Sequence, residues 1–302
     1  MTTTITCQEL HKRLAEGEAL RIIDVLPPEV YAARHLPGAC NACVYEMVFL
    51  EGVAGLTPDA ATPIVLYDAS GTTMAAVTAR EKLLAAGYRD VRVLTGGLAG
   101  WTAAGFAVEG VEPPLPEAAP RDGVYRLDPS GSVLEWIGRN INNRHHGRIP
   151  VASGEIVIRG GEPRGQITLD MTGISNLDLQ DETYRQMLVS HLKSEDFFAV
   201  DRFPTASLAI SGWQPIDGAM PGTPDHIVQG ELTIKGVTRR IFFPVTVAPQ
   251  EDGSLKAQAA FDLDRTAWNI SYGSGRFFEK LGMHLVHDRI DIGLFIVARN
   301  SG

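Results

Sequence analysis

Cysteines, histidines and aromatic residues are the side chains here with the chemistry to act on or hold something. Cys40 and Cys43 form a C-x-x-C pair, the spacing of a thiol redox centre; they follow a turn at His35–Ala39 rather than opening a helix, and the alternative is small apolar core filler. The run from Asn140 to Gly147 contains Asn143, His145 and His146, and the run from Leu281 to His287 contains His284 and His287. On a strand His145 and His146 face opposite sides, so only one of them points inward. His284 and His287 stand at a weak ligand spacing with no carboxylate of clear role. No metal is expected; Asn143, His145 and His284 instead suit hydrogen bonds to the polar head of a small molecule, or serve as satisfied strand-end residues. Trp136, Trp268, Phe277 and Phe278 are candidates to line an apolar site, with core filling as the alternative for each. The loop Tyr272–Lys280 sets Gly273 and Gly275 beside Phe277 and Phe278, as a gate at a barrel mouth or as a long hairpin connection does.

The elements that must position these residues change character along the chain. Thr6 and Glu9 form a capping box ahead of Leu10 and Leu14 at helical spacing. An apolar strand at Arg21–Val25, a short helix around Glu29–Ala33, a strand at Pro63–Tyr67, a helix from about Thr72 to Ala86 closed by Gly87, and a strand at Val91–Leu94 follow in order. Such alternation predicts a parallel sheet with helices on both faces over residues 1–110. Residues 111–123 hold Pro113, Pro114, Pro116 and Pro120, which predicts an extended linker. From residue 124 to 302 the period becomes two: Ile167, Leu169 and Met171, then Leu232 and Ile234, then Ile290, Ile292, Leu294 and Ile296 alternate with their neighbours, as in an antiparallel sandwich or barrel. One helix interrupts it. In Asp181–Lys193, Tyr184, Met187, Leu188, His191 and Leu192 share a stripe, placed as a cap on the barrel or against its side.

Ile23-Asp24-Val25 with Pro28-Glu29, Arg34–Ala39, Val65–Gly71 and Gly96–Trp101 occur in the order and spacing of rhodanese-like domains, which residues 5–109 resemble. The resemblance implies a doubly wound α/β fold with a nucleophilic cysteine after the central strand, in a loop of backbone N–H groups that favours an anion. Asp68 stands at that position, followed by Ala69, Ser70, Gly71, Thr72 and Thr73, so the arginine that often closes the loop is absent too. A carboxylate accepts the same N–H bonds, fills the cradle itself and repels incoming anions. This degenerate loop is therefore expected to be inactive in sulfur transfer, and no catalytic residue is assigned. Asp68–Thr72 also partly resembles the phosphoryl-accepting loop of haloacid-dehalogenase-type enzymes, which needs a second acidic residue where Ser70 stands, and a metal.

Tyr125–Asp128, His191–Phe198 with Arg202–Thr205, Gly230–Thr238 and the closing strand Asp288–Ala298 resemble the YceI-like family. That resemblance implies an eight-stranded, antiparallel, lipocalin-like β-barrel that binds isoprenoid-type amphiphiles such as quinones or their precursors. A bound lipid of this kind is the only non-protein group expected. The leading expectation is thus a carrier with an inactive rhodanese-like module for docking a protein partner or for regulation. The rival is a sulfurtransferase or thiol-redox enzyme acting through Cys40 and Cys43.

Composition narrows the partners. Net charge is −9, with both halves of the chain acidic, so neither offers the basic face that nucleic acid or anionic lipid requires. Apolar runs fall far short of the roughly 20 residues of a membrane helix, so stable membrane insertion is not expected. Met1–Ile5 lacks a basic flank and an apolar stretch, and with three cysteines a cytoplasmic location is expected.

Overall fold

In the computed structural model, which describes residues 3–111 and 119–301, the strand–helix alternation of the first part closes into a five-stranded parallel sheet. Its elements are β1 (Thr4–Ile5), α1 (Cys7–Ala15), β2 (Arg21–Asp24), α2 (Pro28–Ala33), β3 (Cys40–Asn41), α3 (Phe49–Leu56), β4 (Ile64–Tyr67), α4 (Ala75–Ala85), β5 (Val91–Leu94) and α5 (Gly97–Ala103). Strand order is β1-β5-β4-β2-β3. The central strand β4 is buried at every residue, and its side chains alternate between two cores. Ile64 and Leu66 pack with Phe49 and Val53 of α3 and Ala76, Ala79 and Leu83 of α4. Val65 and Tyr67 pack on the opposite face with Leu10 of α1 and Trp101 of α5. That two-sided burial is why β4 reads as an unbroken apolar run.

Asp24 ends β2 almost fully buried, with Oδ1 accepting from Leu26 N–H at 2.9 Å and Oδ2 lacking a hydrogen-bond partner among the described residues. Burial pushes its carboxyl above the ordinary 3.8, and the nearby Asp68 charge adds to this. A raised acid leaves the folded state bound to its proton longer than the unfolded chain, so its contribution is fully present below 3.8 and is lost as pH rises through the folded value. Asp24→Asn is therefore expected to raise the melting temperature at pH 7.5, with the gain shrinking toward pH 4. An equal effect at both pH values contradicts this.

The chain divides into two compact units, Met1–Pro114 and Leu115–Gly302. Of the proline-rich stretch, residues 112–118 lie outside the described residues, and Gly123 already opens a strand.

The second unit comprises β6 (Gly123–Leu127), β7 (Val133–Arg139), β8 (Arg144–Ile149), β9 (Val151–Arg159), β10 (Glu162–Asp170), β11 (Ser175–Asn176), α6 (Glu182–Lys193), β12 (Thr205–Pro215), β13 (His226–Ile234), β14 (Val237–Pro249), β15 (Leu255–Asp264) and β16 (Arg289–Asn300). Neighbouring strands run antiparallel, and β6-β9-β10-β12-β13-β14-β15-β16 form a ring of eight that closes through the β16–β6 pairing. β6 pairs with β16 at Ala298–Asn300, whereas β7 pairs with its other half at Asp291–Phe295, so the two strands share one edge. β7 carries β8, and β8 carries β11. Gly147 in β8 permits that last approach: a Cβ there would meet Ser175 O at 1.7 Å and the Trp136 ring at 2.8 Å. Among the described residues no helix is long and apolar enough to cross a membrane.

Candidate functional site

The inward faces of the barrel strands leave a cavity of about 370 Å³, inside the ~300–1,000 Å³ range of small-molecule sites. Most of its wall is aliphatic, contributed in period two by residues such as Ile167, Leu208, Ile292 and Leu294. Ile290, Ile292 and Leu294 face inward yet are only partly buried, because the cavity leaves their surface open. Elsewhere the same alternation gives closed core, as at Tyr125 and Ile158.

Helix α6 covers part of this cavity. Asp181 caps it, accepting from Thr183 N–H at 2.8 Å and Tyr184 N–H at 3.2 Å. Leu188, His191 and Leu192 reach the wall. Tyr184 and Met187, read from sequence as part of the same stripe, are 63% and 62% exposed instead.

Three of the sequence-predicted ligand contacts stand in the wall: Trp136 on β7, His145 on β8 and His284 in a 3-10 turn at Gly282–His284. Four stand outside it. Asn143 is exposed in a tight turn, bonded to Asn140 through its N–H at 2.6 Å and its carbonyl at 2.9 Å, and Asn140 reaches the wall instead. Trp268 is buried, but its indole N–H donates to Leu232 O at 2.9 Å, anchoring a 3-10 turn to β13. Phe277 and Phe278 are 56% and 48% exposed. Their N–H groups both bond to the carbonyl of the fully buried Ser274, a fold-back that leaves the rings outside; this loop meets the cavity through Tyr272.

The polar end of the wall is ordered by carboxylates. His145 Nδ1 lies 2.8 Å from Asp178 Oδ2, while Oδ1 of Asp178 accepts from His146 N–H at 2.8 Å and Asn176 Nδ2 at 2.6 Å. Burial works against charge on Asp178, but these bonds outweigh it and hold the carboxyl below its usual value. Arg139 pairs with Asp291 at 2.5 Å, which lowers the Asp291 carboxyl in turn. Arg265, 2% exposed, was not anticipated from sequence. It donates to the carbonyls of His287 (3.0 Å), Ile270 (2.6 Å) and Val286 (3.1 Å), and burial pulls its guanidinium below the usual arginine value. Among the described residues no three His, Cys, Asp or Glu side chains are grouped to hold a metal ion.

In the first unit the loop after β4 is filled by its own aspartate. Asp68, 1% exposed, accepts from Ser70 N–H at 3.2 Å and Gly71 N–H at 2.5 Å through Oδ1, and from the Thr73 hydroxyl at 2.7 Å through Oδ2. Ser70 and Thr72 bond to each other at 2.7 Å, and Ala69 lies pinned by Ala99 N–H, which donates to its carbonyl at 2.8 Å. These bonds hold residues 68–73 as a loop, so α4 starts at Ala75 rather than at Thr72. Gly97, at φ +56°, packs so closely that a Cβ there would meet Asp68 O at 2.3 Å. Cys40 and Cys43 are both free thiols; Cys40 Sγ lies 3.9 Å from Arg21 Nη1, and Cys43 is buried.

Comparison with known proteins follows this division. Residues 6–104 match the rhodanese-like domain and residues 125–298 the YceI-like domain. None of the curated proteins matches the chain. Among solved structures, BcnA from Burkholderia cenocepacia is 22% identical, over 57% of this chain and 98% of that chain, at a TM-score of 0.44. The rhodanese-like domain of the Alr3790 protein from Anabaena sp. is 29% identical over 40% of this chain and 89% of that chain, at 0.34. A polyisoprenoid binding domain from Saccharophagus degradans, implicated in plant cell wall breakdown, is 11% identical over 60% of this chain and 99% of that chain, at 0.42. With its family match spanning more than half of the sequence, the chain belongs to the YceI-like domain family, and it carries a rhodanese-like domain ahead of that barrel.

Proposed function

We propose that this protein is a non-enzymatic binding or carrier protein whose barrel holds an isoprenoid-like or other amphiphilic small molecule. The observation that carries the reading is the aliphatic cavity of about 370 Å³ within a closed ring of eight strands, with imidazoles and asparagine gathered at one end. Burying an apolar chain gains about 0.8 kcal/mol per CH₂, so ten carbons contribute on the order of 8 kcal/mol before ordering costs. Micromolar binding corresponds to about the same free energy. The test is fluorescence of 1-N-phenylnaphthylamine, which brightens in apolar surroundings. The full chain is expected to bind the dye and release it to geranylgeraniol with saturable competition. No brightening, or dye that the alcohol does not displace, contradicts the reading.

The rhodanese-like domain is proposed to act as a docking or regulatory module rather than as a sulfurtransferase. Asp68 supports this by standing where the sulfur carrier stands in the family and by occupying the surrounding N–H groups itself. Thiosulfate:cyanide sulfurtransferase turnover is expected to be no higher in the wild type than in a Cys40→Ser, Cys43→Ser double variant. Wild-type turnover clearly above that control restores the enzymatic alternative through these cysteines.

A further inference from the structure

We propose that the rim of the barrel mouth is a docking surface for a phospholipid bilayer, from which the cavity takes up its ligand; this rests on the cavity being the binding site, as proposed above. Among the described residues the second unit exposes nine large apolar side chains, and all but Met220 and Phe242 stand at one end of the barrel. At that end the Asn140–Asn143 turn, α6 and the loop between β15 and β16 come together: Asn140 bridges to Val286, and the His191 ring stands edge-on to Tyr272 at 4.6 Å. Ile141 is exposed in the turn, Tyr184 and Met187 on α6, and Phe277, Phe278 and Met283 on the loop. Leu177 is exposed beside them, its N–H bonded to His146 O at 2.9 Å. Single apolar residues scattered over a surface need no explanation, but a distribution this uneven marks a face that meets a partner.

Continuity with the cavity says which partner. Exposed and wall residues stand side by side in the same segments: Ile141 follows Asn140, Met187 precedes Leu188, and Met283 is 76% exposed yet part of the wall. A long apolar ligand resides in a bilayer rather than in free water, so the surface around its port of entry is the one that has to meet the bilayer. The charge of the rim agrees. Segments 140–147, 174–178, 181–193 and 271–287 hold five Lys or Arg against four Asp or Glu, a net +1 in a chain of −9, so the acidity that lipid phosphates repel lies elsewhere. Arg144 and Lys280 are exposed within three residues of Ile141 and Phe278, close enough for their heads to stay at the phosphates while the apolar tips enter.

Flotation of the full chain with vesicles of palmitoyl-oleoyl-phosphatidylcholine tests this, beside dye binding measured without vesicles. The wild type is expected to float, and Phe277→Glu with Phe278→Glu to lower its partition at least about tenfold while leaving dye affinity unchanged. Met220→Glu with Phe242→Glu removes two exposed apolar side chains away from the mouth and is expected to float as the wild type does. When geranylgeraniol is delivered in these vesicles, the rim variant is expected to release the dye about tenfold more slowly than the wild type. Dye binding without flotation, equal losses in the two double variants, or an unchanged release rate overturns the docking surface and leaves the cavity reading intact. Flotation without dye binding removes the cavity reading and with it the uptake role. A wild-type dimer that the rim variant disperses assigns the rim to a second copy and overturns the proposal.

Discussion

Replacing Ile292 with glutamate is expected to lower the affinity for an apolar ligand at least about a hundredfold. Ile292 lies on β16 directly between Phe261 of β15 and Trp136 of β7, and all three stand in the cavity wall. A carboxylate at this point has no basic partner on either flanking residue. It must give up its charge or draw water into the chain's path, and an uncompensated polar group in such a place costs roughly 3 kcal/mol or more. Phe277→Glu is the matched control. That ring is 56% exposed and outside the wall, so its replacement is expected to leave binding unchanged. Dye titration of both variants checks the pair, with circular dichroism confirming that each is folded. Equal losses in the two, or none in Ile292→Glu, contradict the assignment of the wall.

Arg265→Met is expected to destabilise the barrel by about 3–5 kcal/mol, because it strands groups that the guanidinium alone satisfies. The side chain is buried and ties three carbonyls from two separated segments, Ile270 on one side and Val286 with His287 on the other. Methionine fills much of the volume but restores none of those bonds. It also leaves Asp288 Oδ1, already without a hydrogen-bond partner, facing no charge from this side. Arg265→Lys is expected to recover little, since one ammonium cannot reach three carbonyls in the planar arrangement that the fork provides. Urea unfolding followed by tryptophan fluorescence reports the change, Trp136, Trp213 and Trp268 all lying in the second unit. A midpoint unmoved by Arg265→Met contradicts the role given to this residue.

What was legible in the sequence depended on whether local pattern and tertiary environment agreed. Strand β5 falls at Val91–Leu94 as read, and β4 within a residue of its predicted start, because strands buried on both faces are written as continuous apolar runs. The period-two segments became the barrel strands for the same kind of reason. Helix α4 starts later than helical spacing suggests because Asp68 and Ser70 turn their side chains onto the backbone and the Thr73 hydroxyl accepts from Ala75 N–H, a competition that the spacing does not register. The wall of the cavity was harder still. Ile292 facing empty space and Ile158 in closed core obey the same alternation, so pattern alone cannot separate a lining residue from a packed one. Conspicuous aromatics were a poor guide: Phe277 and Phe278 ended on the surface through the fold-back onto Ser274, and Trp268 became an anchor for β13. Arg265 follows Asp262-Leu263-Asp264 at the end of β15, a setting in which local pattern reads the guanidinium as an exposed partner of those acids rather than as a buried multiple donor.

Native mass spectrometry of the full chain reads out lipid bound in the barrel, recorded as purified from bacteria and again after mixing with a ubiquinone-type lipid. A one-to-one complex with a lipid is expected in at least one of these states, lost in Ile292→Glu and kept in Phe277→Glu. A wild-type protein that emerges bare in both states, with the same mass as its sequence alone, contradicts it.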